Sequence, residues 1–257
     1  MTSEPQEREI RHGPVRLSRD RGVAIVSMED GPAKNALDEN MVEGLERAFA
    51  AIGTASDINA VVLRGLPEVF CSGASRSLLG ALLAGDVNVS ELGLPRLLLC
   101  CPVPVVAAIR GNAVGGGFAL GLAADVMILS ERARYGLNFM DLGLTPGMGA
   151  TWLARERLGD FVGDELLYST EYRRGRDLRS APGVNHVVSS DRVEPLALDI
   201  ARRIAEKPRN ALILLKRNQT EPRLRAFDKA RENEMRMHRD RLASQDTARL
   251  IARNFLE

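Results

Sequence analysis

Val103-Pro-Val-Val-Ala-Ala-Ile109 is an apolar run that precedes Gly115-Gly-Gly117, and the glycines lead into Phe118-Ala-Leu-Gly-Leu-Ala-Ala124. This order predicts a buried strand, a turn and a helix of small residues. Three glycines at a helix N-terminus let backbone N–H groups approach a ligand oxygen with no Cβ in the way. Such a turn can bind an anion, or an oxygen that becomes anionic during a reaction.

The glycines do not follow the G-x-G-x-x-G spacing, and no Gly-Lys-Ser/Thr follows them. The turn therefore does not favour nucleotide binding. A turn that serves only close packing of a helix is the alternative interpretation of these three residues.

Short β-rich runs alternate with helical patterns over the first two thirds of the chain. Val23-Ala-Ile-Val-Ser27, Ala60-Val-Val-Leu-Arg64 and Asp125-Val-Met-Ile-Leu129 are typical of strands. Asp38 is positioned to cap a helix that reaches about Ile52. The alternation predicts an α/β fold with largely parallel strands.

The pattern divides the chain into a loose leader (residues 1–13), a core (residues 14–190) and a helical region (residues 191–257). The leader is charged and polar, and the last region predicts helices over residues 193–206, 208–217 and 223–242, with a final helix to Phe255. Pro208 and Pro222 are expected at two helix starts, where proline is tolerated.

Composition excludes several classes of function. The chain has 257 residues, and its 35 Lys and Arg against 34 Asp and Glu leave a formal charge of +1. This balance does not favour nucleic acid or membrane partners. The three cysteines have no metal-ligand spacing and no disulfide pattern, and the apolar stretches are too short or too broken to span a bilayer. We expect a cytoplasmic protein that binds no metal.

Three segments together resemble the crotonase (enoyl-CoA hydratase/isomerase) superfamily: Phe70-Cys-Ser-Gly-Ala74, Ile109-Arg-Gly-Asn-Ala-Val-Gly-Gly-Gly-Phe-Ala-Leu120 and Leu142-Gly-Leu-Thr-Pro-Gly-Met-Gly-Ala-Thr151. The resemblance implies a spiral of ββα turns that forms two roughly perpendicular sheets, followed by a helical trimerisation region.

The same resemblance implies an oxyanion hole for a thioester carbonyl, formed by the backbone N–H groups of Ala74 and Gly116. Gly73, Gly115 and Gly117 are the accompanying substrate-binding positions. No cofactor is implied other than the phosphopantetheine arm of the substrate carrier.

Hydratases of this superfamily use two glutamates to hold and activate water, and the matching positions here are Ala119 and Phe139. Neither residue can transfer a proton, so water addition by the usual route is not expected. Phe139 and Met140 are instead predicted to line an apolar pocket.

The segments around Gly73-Ala-Ser-Arg76 and Phe139-Met-Asp141 resemble the decarboxylating branch found in polyketide β-branching cassettes. Members of that branch act on 3-methylglutaconyl thioesters of an acyl carrier protein and release CO₂ to give a 3-methylcrotonyl-type product. The branch typically has a lysine where this chain has Arg76, and a C-terminal histidine for which His238 is the best match. Arginine grips a carboxylate in a bidentate manner but does not donate a proton, so His238 or a water is the expected donor.

Two rival functions remain at this point. One is an acyl-CoA isomerase or other lyase that shuttles protons with His238, Asp141 or water. The other is a catalytically silent acyl-binding homologue.

We expect a homotrimer or a dimer of trimers, because the resemblance implies one. An acidic carrier protein requires a locally basic docking surface. The candidates lie near the tail: Arg202-Arg203, Lys207, Arg209, Lys216-Arg217 and Arg223-Leu-Arg225.

Overall fold

The structure is a computed structural model and describes residues 9–84 and 93–242. Its strands are β1 (Ile10–His12), β2 (Val15–Asp20), β3 (Val23–Met28), β4 (Ala60–Arg64), β5 (Val69–Cys71), β6 (Val105–Ile109), β7 (Asn112–Val114), β8 (Val126–Ser130), β9 (Arg134–Gly136), β10 (Arg173–Arg174) and β11 (His186–Val188). Its α-helices are α1 (Glu39–Thr54), α2 (Arg76–Ala84), α3 (Leu94–Cys100), α4 (Gly116–Leu122), α5 (Ala150–Leu158), α6 (Asp160–Ser169), α7 (Ser190–Ala205) and α8 (Arg209–Leu242).

The strands form two sheets, with the orders β1-β2-β3-β4-β6-β8-β11 and β10-β9-β7-β5. Pairing is parallel from β3 to β11 in the larger sheet and from β5 to β9 in the smaller one. Successive strand pairs β4–β5, β6–β7 and β8–β9 each contribute one strand to each sheet, and a helix follows each pair. This repeated ββα turn confirms the predicted spiral.

The larger sheet is covered on both faces, as parallel sheets require. Helix α7 packs its buried residues Val193, Ala197 and Ala201 against one face. The other face belongs to the main core, which also contains residues of α1, α3, α4 and α5. The core therefore holds α4, and with it the glycine turn, between rigid elements.

The glycine turn follows β7 and opens α4. Gly115 is the N-cap of α4, with a φ of 52°, and the helix begins at Gly116 rather than after the third glycine. All seven residues of α4 are buried. Because the first N–H groups of a helix have no carbonyl partner within it, the turn presents free donors.

Part of the predicted leader is a strand. Ile10–His12 pairs antiparallel with β2, so the prediction of a loose leader is corrected for these residues. The charged pattern concealed the strand because its burial is slight and its stability comes from backbone pairing at a sheet edge.

Helix α8 is continuous, and the predicted break before Pro222 is wrong. Lys216 and Arg223 lie on either side of this proline, and both form ion pairs with Asp125, at 2.6 Å and 3.4 Å. These contacts hold the helix in register across the lost N–H donor. Pro208 does precede the first helical residue, as predicted. The predicted final helix to Phe255 lies outside the described residues.

Among the helices within residues 9–84 and 93–242, none has the length and apolar character needed to cross a membrane.

Asp38 caps α1 as predicted, because its carboxylate accepts a hydrogen bond of 2.8 Å from the backbone N–H of Met41. Replacing Asp38 with Ala leaves that donor without its partner, and we expect the free energy of unfolding to fall by about 1 kcal/mol. Urea denaturation measures the change. Glu46→Ala, at an exposed position of the same helix, is the control and changes stability by less than about 0.5 kcal/mol. Equal losses in the two variants would contradict the cap.

Candidate active site

Two backbone segments meet beside the glycine turn. The loop after β5 forms a parallel bridge with Leu37, whose N–H donates to Gly73 O at 2.7 Å and whose carbonyl accepts from Ser75 N–H at 3.0 Å. The N–H of Ala74 lies between these two bonds and has no partner in the described part of the chain. It is therefore free to bind a ligand oxygen.

The loop after β5 lies directly against the start of α4. A Cβ built on Gly73 would lie 2.9 Å from Val114 O and 3.9 Å from Gly116 N, and the φ of Gly73 is +88°. Ala74 and Gly116 both line one cavity of about 1000 Å³. Two free N–H donors from separate segments thus share the same cavity.

Apolar side chains form most of the cavity wall. They include Leu37, Leu79, Leu82, Leu142, Leu144 and Met148. The predicted pocket residues Phe139 and Met140 are also in the lining, the first buried and the second exposed. An apolar wall lowers the local dielectric and strengthens any interaction with a charged substrate group.

Arg76 and Asp141 bring opposite charges to this cavity. Arg76 is the first residue of α2, is exposed, and makes no ion pair with any described residue. Asp141 accepts a hydrogen bond of 2.5 Å from Thr170 Oγ1 and is the one carboxylate among the described lining residues. The sequence analysis names Asp141 only as a proton shuttle of a rival function, and the structure places it in the cavity lining.

His238 reaches the cavity from the far end of α8. Its side chain is buried, and Nδ1 lies 2.5 Å from Thr145 Oγ1. Its Nε2 is buried and has no partner among the described residues. Burial lowers the pKa of His238, because the imidazolium loses its hydration. The sequence placed this residue only by its match to a family position.

Glu234 is the site-supporting residue that the sequence analysis missed. It is fully buried on α8, and its carboxylate accepts three hydrogen bonds at the start of α5: from Gly149 N–H at 2.7 Å, Thr151 N–H at 2.9 Å and Thr151 Oγ1 at 2.7 Å. Burial raises the pKa of Glu234, and the bonds from Thr151 and Gly149 oppose that increase. The available signal was its spacing of four residues from His238.

Two positions singled out in the sequence lie outside the cavity lining. Gly117 faces the core instead, because a Cβ there would lie 2.5 Å from Cys71 O. Its contribution is close packing rather than contact with the cavity. Ala119, which the resemblance matches to a glutamate of the hydratases, is buried in α4. Cys71 itself is buried, and burial raises the pKa of its thiol to about 12.

Four of the eight predicted basic docking residues are bound internally. Lys216 is buried against Asp125, and Arg223 pairs with the same carboxylate. Arg209 donates to backbone carbonyls, including that of Ala55, and Arg202 pairs with Asp20. A run of basic residues on a helix does not show which side chains remain free to bind a partner protein. The prediction that these four residues form a docking surface is therefore corrected, because each is bound within the chain.

Within the described chain, no group of three or more His, Cys, Asp or Glu side chains is arranged to hold a metal ion.

Comparison with known proteins assigns the chain to a family whose expected fold and glycine turn are those described above. The family model for enoyl-CoA hydratase/isomerase matches residues 18–257. The chain therefore belongs to this family, the crotonases, and it is an enzyme of that family.

Relatives that decarboxylate are prominent among the matches. The bacillaene synthase decarboxylase PksI of Bacillus subtilis is 36% identical over 228 residues, which cover 88% of this chain and 92% of the relative. A solved structure from a dehydratase/decarboxylase enzyme couple of polyketide beta-branching has a TM-score of 0.90 at 33% identity, covering 95% of this chain and 98% of its own. The ECH2 decarboxylase domain of CurF from Lyngbya majuscula has a TM-score of 0.87 at 32% identity, covering 94% and 99%.

The lowered pKa of His238 predicts a pH dependence of stability. As pH falls below about 6.5, the unfolded chain binds a proton that the folded protein binds only at lower pH, so the free energy of unfolding decreases. The decrease is about 1.4 kcal/mol for each pH unit over which the unfolded chain alone is protonated. We expect His238→Gln to lose less stability than the wild type between pH 7 and pH 5.5, as measured by urea denaturation.

Measurements at pH 7.5 and pH 8 provide the control, because neither state of the wild type then binds this proton. The difference between the two proteins should be constant there. Parallel curves for both proteins down to pH 5.5 would disprove a desolvated imidazole at position 238.

Proposed function

We propose that this enzyme decarboxylates a 3-methylglutaconyl-type thioester carried by an acyl carrier protein, and that the product is a 3-methylcrotonyl-type thioester. One observation carries the proposal: two free backbone donors and a buried imidazole share a largely apolar cavity whose described lining lacks a pair of carboxylates. The decarboxylase relatives support the same reaction class.

The reaction requires a sink for an electron pair. The bond between the terminal carboxylate carbon and its neighbouring methylene breaks, CO₂ leaves, and the electron pair passes through the conjugated double bond to the thioester oxygen. The resulting dienolate carries its negative charge on that oxygen, where the N–H groups of Ala74 and Gly116 bind it. Each such donor stabilises the charge by about 3 kcal/mol in a site that excludes water. A proton then adds to the carbon that carried the carboxylate.

Arg76 and His238 have separate tasks in this scheme. The guanidinium of Arg76 binds the substrate carboxylate and orients the breaking bond, because arginine stays charged and cannot supply a proton. The entering carboxylate favours the imidazolium form of His238, which opposes the effect of burial. His238 then delivers its proton to the dienolate carbon, directly or through a water.

Hydration fits the cavity less well. Relatives of the hydratase type place two glutamates at the positions that Ala119 and Phe139 occupy here, and neither replacement can activate water. A carboxylate at either position would also repel the substrate carboxylate. Asp141 does not replace the pair, because it is a single acid and is already bound to Thr170.

The carrier is recognised through its acidic surface in this proposal. Arg203, Lys207 and Arg217 are exposed and form no ion pair with described residues, so they are the members of the predicted basic set that stay available. CoA thioesters have the same phosphopantetheine arm and enter the same cavity. We therefore expect both forms to react, with the carrier-protein form favoured in kcat/KM.

Mass spectrometry of a 3-methylglutaconyl thioester incubated with the enzyme tests the reaction. We expect the acyl group to lose the mass of CO₂ on both carriers, with a higher kcat/KM for the carrier-protein form. A gain in mass equal to one water would establish a hydratase. No mass change on either carrier would contradict the decarboxylation and would leave an isomerase, whose reaction conserves mass, or a silent homologue.

Arg76→Ala and Arg76→Lys test the carboxylate contact. Hydrogen bonds to a charged group contribute about 1.5–3 kcal/mol, so we expect the alanine variant to lose about 10- to 150-fold in kcat/KM. The lysine variant keeps the charge and loses less. Arg132→Ala, at an exposed position outside the cavity lining, is the matched control. Full activity of Arg76→Ala would rule out the anchoring role.

A further inference from the structure

We propose that Glu234 is a positioning residue that ties the helix carrying His238 to the turn that packs against the oxyanion-hole donor Gly116. The expected effect of Glu234 on kcat rests on the proposed function, whereas the contacts of Glu234 with Gly149 and Thr151 do not depend on it. Glu234 does not line the cavity, and both of its carboxylate oxygens already accept hydrogen bonds. It is therefore not itself a proton donor to the substrate.

The carboxylate of Glu234 replaces the side-chain N-cap that helix α5 lacks. Helix α5 has Gly149 at its N-cap, a residue with no side chain that could accept from the free N–H groups. Glu234 supplies that acceptor from α8, at distances of 2.7 to 2.9 Å. Its negative charge also faces the positive end of the α5 dipole. One buried residue thus fastens two helices that are far apart in sequence.

The turn fastened by Glu234 is strained and touches the oxyanion hole. Met148 and Gly149 both have positive φ, at 61° and 75°, and Met148 adopts this conformation without being a glycine. Such a backbone persists only where the surroundings hold it. Met148 Sδ packs on Gly116, where a Cβ would come within 2.6 Å of the sulfur. Releasing the turn would therefore move the wall behind this donor.

The same carboxylate fixes His238. Positions 234 and 238 are one helical turn apart, so the two side chains project from the same side of α8. Glu234 binds the start of α5 while His238 Nδ1 meets Thr145, which lies on the segment that leads into the Met148 turn. Phe227 adds a third contact on α8, because its ring occupies the space that a Cβ on Gly149 would need. These three contacts set the distance between the imidazole and the two N–H donors.

Kinetics of four variants test the role. Glu234→Gln loses the charge, Thr151→Val loses one of the three hydrogen bonds at nearly constant volume, and Thr151→Ser restores that bond. We expect the first two to lower kcat at least tenfold with KM changed less than threefold, and Thr151→Ser to stay within about twofold of wild type. Glu194→Gln is the matched control. Glu194 forms an ion pair of 2.8 Å with Arg64, and it does not line the cavity.

A double-mutant cycle separates positioning from general destabilisation. If Glu234 acts partly through His238, then Glu234→Gln lowers kcat by a clearly smaller factor in a His238→Ala background than in the wild type, because one of the two groups it positions is already gone. Full additivity of the two losses would overturn the proposal. Thr151→Val supplies the same cycle if Glu234→Gln does not fold.

A spectroscopic readout keeps the test independent of the reaction. The chain has three histidines, so the ring ¹³Cε1–H signals of histidine-labelled protein are few, and His238→Gln identifies the signal of His238. We expect this signal to shift in Thr151→Val and to stay in place in Thr151→Ser and Glu194→Gln. An unmoved signal would overturn the positioning role even if the enzyme proved to catalyse a different reaction. A shifted signal in a protein that releases no CO₂ would instead contradict the proposed function alone.

Discussion

The close approach of two backbone segments is the constraint on which the rest of the structure depends. The loop after β5 can meet the start of α4 because Gly73 presents no side chain at the contact, where a Cβ would lie 2.9 Å from Val114 O, and the Leu37 bridge then leaves the Ala74 N–H free. Unpaired donors are costly in a protein interior, since each loses its hydration without gaining a partner. The core holds them fixed through a fully buried α4, so no reorganisation is needed when a charge forms.

Helix α8 joins this core through two acids, the half-buried Asp125 and the buried Glu234, rather than through a continuous apolar stripe. Asp125 anchors its first half on both sides of Pro222, and Glu234 anchors its second half at the start of α5. A carboxylate at such a site is costly to leave without partners, so these contacts favour this arrangement of the helix over others. His238 therefore reaches the cavity from a helix whose position is set by its contacts with Asp125 and α5.

The sequence predicted those features that depend on neighbouring residues. Strand alternation, the cap at Asp38 and the glycine turn at Gly115 are local patterns, and the structure contains each of them. Glu234 was missed because its partners are more than 80 residues away, and nothing in a run of charged helical residues distinguishes a buried acid from an exposed one. The prediction of the basic docking residues failed for the same reason, because Lys216 and its partner Asp125 are distant in sequence and meet only in the folded chain. Family resemblance located His238 and Arg76, while periodicity alone would have left the buried His238 on the surface.

Cys71 lies two residues before Gly73, in an enzyme whose proposed substrate is a thioester. A reactive thiolate at this place would compete for the acyl group by transthioesterification and would strip it from its carrier. Burial beneath α4 holds this sulfur in the protonated, non-nucleophilic form, since its pKa is raised to about 12. In the proposed reaction, dense packing of the strand end therefore protects the acyl chain from transfer to this sulfur, and the product stays on its carrier.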